Sequence, residues 1–178
     1  MQFETDRLCL RAVKESDLDD LFRIYGDPAT NTFNPAGPYP DIYHAKNVLT
    51  RWIAHWDRHG FGDWAISEKG DSARIIGFGG ISLRNSEDVF VNNLGYRFET
   101  AVWGKGYATE FSRNAVKYGF TQLCLTEITA IVRAHHHASQ RVLKKSGLKF
   151  IREIYDVEHA PPSLFFSLTR EEWHETDA

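Results

Sequence analysis

The chain has 178 residues, of which 42% are hydrophobic and 25% are charged, and its formal net charge is −3. This length and composition predict one globular domain over residues 1–178 with a single buried core. Proteins that bind nucleic acid are usually basic, so a mildly acidic chain argues against that class. No segment reaches the length of a membrane-spanning helix, and the N-terminus lacks the pattern of a secretory signal. We therefore expect a cytoplasmic protein that binds neither nucleic acid nor a membrane.

The first third of the chain predicts a strand, two helices and a long loop. Residues 8–13 are typical of a strand, and residues 15–26 of a helix with one buried face. Residues 27–40 contain four prolines, which predict a loop. Asp41 is placed to cap a second helix, whose apolar stripe continues to a stop near Gly60.

The rest of the chain predicts strands interrupted by two helices. Helices are expected at residues 108–119 and 138–146, and Gly147 would end the second one. The predicted order is β-α-α-β-β-β-α-β-α-β-β. Strands are expected at residues 64–67, 75–83, 89–98, 127–133, 150–157 and 164–168, with turns at 69–71 and 84–86.

The cysteines and histidines give no metal-binding pattern. Cys9 and Cys124 lie far apart, each in an apolar stretch, which predicts two reduced, partly buried thiols rather than a disulfide. The run His135-His136-His137 looks like a metal cluster, but neighbours on an extended chain point in alternate directions. It also lacks the i, i+4 spacing and the cysteine partners typical of zinc sites, so we expect no metal.

The most informative segment is Trp103-Gly104-Lys105-Gly106-Tyr107-Ala108-Thr109-Glu110, which follows the predicted strand 89–98 and opens a helix. The first N–H groups of a helix have no intrahelical partner and lie at the positive end of its dipole. Glycines allow a ligand to approach such a backbone closely. The segment therefore predicts a binding site for a phosphate or pyrophosphate group.

This order of elements, with a Gly-x-Gly turn opening the helix after the fourth strand, resembles the GNAT family of N-acetyltransferases. Within that family, the closest likeness is to the branch that acetylates the N-termini of ribosomal proteins. A dinucleotide-binding fold is not expected, because the glycines follow a late strand of a meander. Three further segments carry the resemblance: Thr5-Asp6-Arg7-Leu8-x-Leu10-Arg11, Leu94-Gly95-Tyr96 and Ala138-Ser139-x-x-Val142-Leu143-x-Lys145-x-Gly147.

The resemblance implies an α/β fold, with a mixed central sheet of about seven strands flanked by helices and splayed between strands 4 and 5. It implies an enzyme that transfers an acetyl group from acetyl-coenzyme A to an amine by direct attack. Backbone groups near residues 98–102 would pair with the pantetheine arm, and N–H groups of residues 104–109 would hold the pyrophosphate. The implied cofactor-binding residues are Phe98, Val102, Trp103, Gly104, Lys105, Gly106, Tyr107, Ala108, Thr109, His136 and Ser139.

Two side chains after the fifth strand have specific implied roles. Ser139 aligns with a serine that can protonate the departing thiolate, and the alternative for it is a hydroxyl that caps its helix. His136 stands where the family usually has an asparagine whose amide contacts the cofactor. A histidine there could keep one such hydrogen bond or titrate near neutral pH.

The sequence has no carboxylate at the position where the family usually places its general base. Relatives often carry a carboxylate just before the Gly-Tyr of the fourth strand, where this chain has Asn92 and Asn93. Glu99 is the candidate base, with Glu153, Asp156 and Glu158 as other carboxylates. For each of the four, a solvated surface carboxylate is the competing interpretation.

A missing base favours an acceptor that needs little help to lose its proton. An α-amine with a pKa near 7.8 is neutral in roughly one molecule in seven at pH 7, whereas for lysine the fraction is about one in two thousand. We therefore expect a peptide or protein α-amine, or another amine of low pKa, to be the acceptor. The expected acceptor wall is Phe33, Asn34, Tyr39 and Tyr43, in or beside the proline-rich loop, with residues 156–163 opposite.

Two questions stay open from the sequence. The acceptor could be a small molecule or a protein N-terminus, and the protein could be a monomer or a homodimer. The missing carboxylate and His136 also permit a second class, a protein that binds coenzyme A without turnover and acts as a sensor or interaction module.

Overall fold

A computed structural model of the protein describes residues 2–176. None of the helices formed by these residues is long and apolar enough to cross a membrane. The α-helices are α1 (Leu18–Tyr25), α2 (Ile42–His59), α3 (Tyr107–Thr121), α4 (His137–Lys145) and α5 (Arg170–Thr176). The strands are β1 (Gln2–Glu4), β2 (Leu8–Ala12), β3 (Asp63–Glu68), β4 (Asp71–Ser86), β5 (Val89–Phe98), β6 (Glu127–Arg133), β7 (Lys149–Ile154) and β8 (Ser163–Thr169).

The strands form one sheet of eight, in the order β1-β2-β3-β4-β5-β6-β8-β7. Five neighbouring pairs are antiparallel, whereas β5 and β6 run parallel with a ladder of one pair, Asn93 and Thr129. Strands β5 and β6 correspond to the fourth and fifth strands expected from the sequence, because β1 was not among the predicted strands. The mixed sheet flanked by helices is confirmed, and so short a ladder agrees with strands that separate.

The chain forms two compact units. The first unit takes the chain up to Gly80 and returns over Tyr96–Ala108. The second takes Ile81–Gly95 and the described chain from Thr109 onward. The single domain predicted over residues 1–178 stays a prediction, because a grouping of contacts does not test it.

The core of the first unit lies between the two N-terminal helices and their strands. The carboxylate of Asp41 accepts from the N–H of His44 at 2.8 Å and begins α2, and Gly60 ends it with a φ of 74°. Because the apolar side chains of α2 recur at helical spacing, one face of the helix is buried. The buried cluster contains Val13, Leu21, Ile24, Ala45, Val48, Leu49, Ala65, Ile75 and Phe78.

In the second unit, α3 approaches the sheet closely at Gly119. A Cβ at this residue would lie 2.7 Å from Ile128 and 2.9 Å from Ile81, so a larger side chain would push the helix away. Strand β6 pairs with β8 along its whole length, and Ile128 and Leu168 are fully buried. Consecutive residues Ile128, Thr129 and Ala130 are buried, so both faces of β6 are covered, as is usual for a strand rich in β-branched, apolar residues.

Three sequence expectations need correction. The turn predicted at residues 84–86 is wrong, because β4 continues to Ser86 and the chain turns at Glu87 and Asp88, with φ of 51° and 65°. Asn85 and Ser86 favour turns, but so does Asp88, so residue type alone does not decide between the two positions. Strand β1 and helix α5 were not predicted, since both are short. Both thiols are free, but Cys124 is exposed rather than partly buried.

Candidate active site

The turn between β5 and α3 contains two glycines in a backbone conformation that other residues rarely adopt. Gly104 and Gly106 have φ of 82° and 79°, in the left-handed region that side chains with a Cβ rarely adopt. The sequence argument for glycine was the close approach of a ligand. The structure adds a conformational reason, because the chain cannot make this turn without strain if either glycine is replaced.

The turn also leaves room for an anion. A Cβ at Gly104 would meet no heavy atom within 4 Å, and the nearest atom to a Cβ at Gly106 is Nη2 of Arg7, at 3.5 Å. The first N–H groups of α3 follow directly and lack intrahelical acceptors. Space, backbone donors and a nearby cation together fit a pyrophosphate group.

Arg7 is part of this turn, and sequence reasoning did not assign it that role. Its Nη1 donates to the carbonyl oxygen of Lys105 at 2.8 Å, and its guanidinium carbon lies 4.6 Å from the centre of the Tyr107 ring. The Nζ of Lys105 lies 5.9 Å from the same ring centre and 3.9 Å from the carboxylate of Glu68. The hydroxyl of Tyr107 donates to Glu68. Two cations therefore flank the glycines, and a carboxylate anchors the start of α3.

The segment that leads into the turn is held by its own hydrogen bonds. The N–H of Glu99 donates to Ile76 at 2.8 Å, and the N–H of Val102 donates to Glu99 at 3.3 Å within a 3₁₀ turn over Thr100–Val102. The indole of Trp103 donates to the carbonyl oxygen of Phe98 at 2.9 Å. Pairing of this segment with a pantetheine arm stays a prediction, and the Phe98 carbonyl would have to serve two donors.

Glu99, the candidate base, is buried between two arginines. Arg23 donates to one carboxylate oxygen at 2.5 Å and Arg74 to the other at 2.5 Å. Only 8% of the Glu99 side chain is exposed, whereas 43% and 52% of the two arginine side chains are. Both oxygens are therefore engaged by cations. This geometry favours a structural role, although proton transfer by Glu99 is not tested by it.

Ser139 and His136 lie at the start of α4. The N-cap residue is His136, and Ser139 is the third residue of the helix, so Ser139 lies in the first turn without being its N-cap residue. Ser139 and His136 are both half-buried. Their predicted roles toward the cofactor stay predictions. Among residues 2–176, no three histidine, cysteine or acidic side chains are grouped as metal ligands would be.

Asn92 and Asn93 stand beside the single β5–β6 pair. The hydroxyl of Thr129 donates to the carbonyl oxygen of Asn92 at 3.4 Å, and the Asn92 amide donates to Glu127 at 3.4 Å. The Oδ1 of Asn93 is buried and accepts no hydrogen bond from residues 2–176. A buried acceptor without a donor is costly, so this oxygen is suited to an N–H brought by a ligand.

The other candidate carboxylates are bound or solvated. Asp156 accepts from Ser163 at 2.7 Å and lies 3.5 Å from Arg133. Glu153 is exposed, as is Glu158, whose side chain is 88% accessible.

The four expected acceptor residues have different surroundings. Phe33 and Tyr43 are exposed. The Asn34 amide donates to Asn31 at 3.0 Å and its oxygen accepts from Ala36 at 3.1 Å, so this side chain holds the loop. Tyr39 is half-buried, with its ring centre 5.4 Å from that of Tyr25. Their role in acceptor binding stays a prediction.

Comparison with known proteins identifies the class. Residues 7–149 match the family model described as an acetyltransferase (GNAT) domain. The chain therefore belongs to the GNAT family of acetyltransferases. It is 29% identical to p20, an uncharacterized N-acetyltransferase of Bacillus licheniformis, over 95% of this chain and 96% of that protein. The protein is accordingly an N-acetyltransferase.

Two solved structures share the fold and differ in acceptor. A ribosomal-protein-S5-alanine acetyltransferase from Vibrio fischeri has a TM-score of 0.75 and 18% identity, over 97% of this chain and 98% of its own. A spermidine N-acetyltransferase from Vibrio cholerae, in complex with CoA and spermine, has a TM-score of 0.77 and 14% identity, over 94% and 98%. At these identities the likeness shows the fold alone.

Proposed function

We propose that this protein transfers the acetyl group of acetyl-coenzyme A to an α-amine at the N-terminus of a peptide or protein. The observation that carries the proposal is the turn of Gly104 and Gly106, with Arg7 and Lys105 beside it and α3 behind it. Its donors and cations suit the pyrophosphate of acetyl-coenzyme A. Membership of the branch that acetylates ribosomal proteins is part of the proposal, supported by the sequence motifs.

Acetyl-coenzyme A, when bound, supplies a thioester whose carbonyl carbon is open to attack by an amine. The N–H groups at the start of α3 would hold its pyrophosphate, with Arg7 and Lys105 as counter-charges. Ser139 would give its hydroxyl proton to the departing sulfur and take a proton from the attacking nitrogen in exchange. No covalent intermediate on the chain is proposed, so orientation of the two substrates supplies much of the rate.

The choice of an α-amine rests on the state of the carboxylates. Asn92 and Asn93 occupy the positions where relatives carry one, and an amide cannot accept the proton of an ammonium group. Glu99 is held by two arginines. The difference of about 2.6 pKa units between a lysine and an α-amine is worth roughly 3.5 kcal/mol, which an α-amine does not require from the enzyme.

The test has two stages. We call residues 104–106 the anion turn. Calorimetric titration should show that the native protein binds acetyl-coenzyme A and that Gly106→Asp, which places a carboxylate in this turn, does not. Turnover is then measured with an alanine-initiated peptide, with its Nα-acetylated copy carrying one free lysine, and with spermidine. We expect acetylation of the first only. Fast acetylation of the lysine peptide or spermidine, without α-amine turnover, would contradict the acceptor.

A sensor that binds coenzyme A without turnover is the second candidate. It is favoured by Asn92, Asn93 and His136, which replace residues that relatives use. Binding of acetyl-coenzyme A with no acetylation of any amine in the panel would support the sensor. Turnover of one amine would remove it.

A further inference from the structure

Asp63 is a carboxylate that neither the turn nor the expected acceptor wall includes. It is the first residue of β3 and pairs with Gly80 of β4. Side chains alternate along a strand, so Asp63 shares a face with Ala65, which is buried in the core cluster against α1 and α2. Trp64 lies on the other face, where its ring contacts that of Phe3 at 5.1 Å.

Aromatic rings surround the position of Asp63. We use the name aromatic cluster for Tyr25, Tyr39, Trp52 and Phe78. The centre of the Tyr25 ring lies 5.4, 5.8 and 6.1 Å from those of Tyr39, Trp52 and Phe78. Ala65, on the same face of β3 as Asp63, pairs with Phe78 of this cluster, so the Asp63 side chain lies on the side of the sheet that carries the cluster. The charge of Asp63 raises the pKa of Tyr25 and Tyr39, after the larger effect of their burial.

The Asp63 carboxylate has no hydrogen bond or ion pair with any side chain or backbone group of residues 2–176. The indole of Trp56 donates to Asp63 at 2.7 Å, but to its main-chain oxygen. Arg97 is committed elsewhere, since its guanidinium lies 4.3 Å from the Tyr25 ring centre and donates to Asn31 at 2.9 Å. Burial raises the pKa of Asp63 to about 7.

Such a carboxylate is costly to the fold. A buried acid without a partner loses hydration and gains nothing in return, and an asparagine would fit the same space. Groups of this kind are concentrated at functional sites. Asp63, Tyr25, Tyr39 and Trp52 are all half-buried rather than sealed, so a ligand can reach the carboxylate.

We propose that Asp63 binds the ammonium group of the acceptor and takes its proton, with the aromatic cluster around the cation. This inference rests on the proposed function, because it names the residue that recognises the acceptor. Asp63 supplies the base that Asn92 and Asn93 cannot, and an α-amine with a pKa near 7.8 still gives up its proton far more readily than a lysine with a pKa near 10.4. An ammonium group gains from a carboxylate and from the faces of Tyr and Trp rings, and both are present here. The chain would then prefer cationic acceptors with an apolar side chain beside the amine.

The proton balance of the step is simple. One proton moves from the ammonium nitrogen to an oxygen of Asp63, which leaves a neutral amine with a lone pair. That pair forms the C–N bond of the amide, and the electron pair of the C–S bond leaves with sulfur. A second proton passes from the nitrogen to the sulfur, and Asp63 releases its own to solvent.

The groups that face Asp63 fix the expected pH dependence. Tyr25 of α1 and Tyr39 of the loop are the groups whose pKa the charge of Asp63 raises, and Arg97 of β5 acts on the same two tyrosines. His55 of α2 lies beside the neighbouring Gly62, where a Cβ would be 3.1 Å from its Nδ1. Burial is the cause of the raised pKa of Asp63, and it raises that of Tyr39 to about 12, so Tyr39 stays neutral. Burial lowers the pKa of His55, which therefore stays neutral above pH 7.

The test compares Asp63→Asn with Asp57→Asn, a matched change at an exposed aspartate of α2. The probe is an alanine-initiated tetrapeptide with a fixed concentration of acetyl-coenzyme A. We expect kcat/KM for the peptide to fall roughly a hundredfold in Asp63→Asn, and its rise with pH near 7 to disappear. The Kd of acetyl-coenzyme A should stay within about threefold in both variants. Asp63→Glu, which keeps a carboxylate, should recover part of the activity.

The inference is overturned if the peptide kcat/KM and pH profile of Asp63→Asn match those of Asp57→Asn.

If the native protein acetylates no amine, the proposed function fails, and peptide binding to the variants is measured by calorimetry instead. Loss of that binding in Asp63→Asn alone would uphold the amine site, whereas equal binding by both variants would refute it. Circular dichroism checks that the variants fold, and Asp63→Ser replaces Asp63→Asn if that one does not.

Discussion

Arg7 and Lys105, 98 positions apart, meet where a guanidinium nitrogen donates to a backbone carbonyl oxygen at 2.8 Å. The same guanidinium lies over the Tyr107 ring. Arg7 therefore restrains the turn and places a positive charge next to Gly106.

Replacing Arg7 with alanine should weaken acetyl-coenzyme A binding about tenfold, because one cation and one restraint on the turn are lost. The measurement is calorimetry at two salt concentrations, and the native protein should show the steeper salt dependence. Arg58→Ala, at an exposed arginine of α2, is the control and should leave the Kd unchanged. Equal affinities for native protein and Arg7→Ala would show that Arg7 does not act at this site.

Gly104→Ala should harm both stability and ligand binding, whereas Gly70→Ala should harm stability alone. The two glycines have φ of 82° and 87°, and neither has a heavy atom within 4 Å of a Cβ. Each change therefore carries the same backbone cost of roughly 1–2 kcal/mol. Only Gly104 lies in the anion turn, so only its variant should lose acetyl-coenzyme A affinity, by about tenfold or more. Thermal unfolding and calorimetry separate the two effects, and matched losses of affinity would refute the assignment of the turn.

Glu99→Gln should destabilise the protein by roughly 1–3 kcal/mol, because the carboxylate is buried while its two arginine partners remain partly hydrated. Urea unfolding at pH 7 measures this loss. If Glu99 is structural, the pH dependence of kcat/KM keeps its shape in the variant. Disappearance of an ionisation from that profile, with stability unchanged, would instead make Glu99 the base.

Asp63→Asn should stabilise the protein at high pH. The pKa of Asp63 is raised from 3.8 to about 7 in the folded state, so the folded protein binds more protons than the unfolded one between these values. The stability of the native protein therefore falls as pH rises from about 4 to about 7 and then levels off. The variant lacks this loss, which is at most about 4 kcal/mol and nearer 2 for a half-buried group. Urea unfolding at pH 5 and pH 8 should show a gain from the mutation mainly at pH 8; equal gains would contradict the prediction.

Elements with a strong apolar periodicity, or with clear capping and terminating residues at their ends, could be predicted from the sequence. Helix α2 has a capping aspartate, an apolar stripe and a terminal glycine, and the structure places its ends where those signals lie. The anion turn was visible because Gly104 and Gly106 have few other reasons to alternate before a helix. Arg7 could not be placed there, because its contact depends on tertiary structure rather than spacing. Asp63 was missed for the same reason. An acidic residue at the start of a strand is common, and only the folded structure shows that its carboxylate has no hydrogen-bond or ion-pair partner among residues 2–176.

The first compact unit is built from two stretches of chain separated by fifteen residues of the second unit. Ribosomes make the chain from the N-terminus, so β1 to β3 and both early helices exist before residues 96–108 are synthesised. The turn cannot take its final form until then, because Arg7 and Glu68 are synthesised before Lys105 and Tyr107, the residues that they contact. Contacts of such long sequence separation make folding slow. A fragment that stops at Gly80 lacks Phe98, which packs against Gly77, and Arg97, which lies over the Tyr25 ring, so it should be less stable than the whole chain and prone to aggregate.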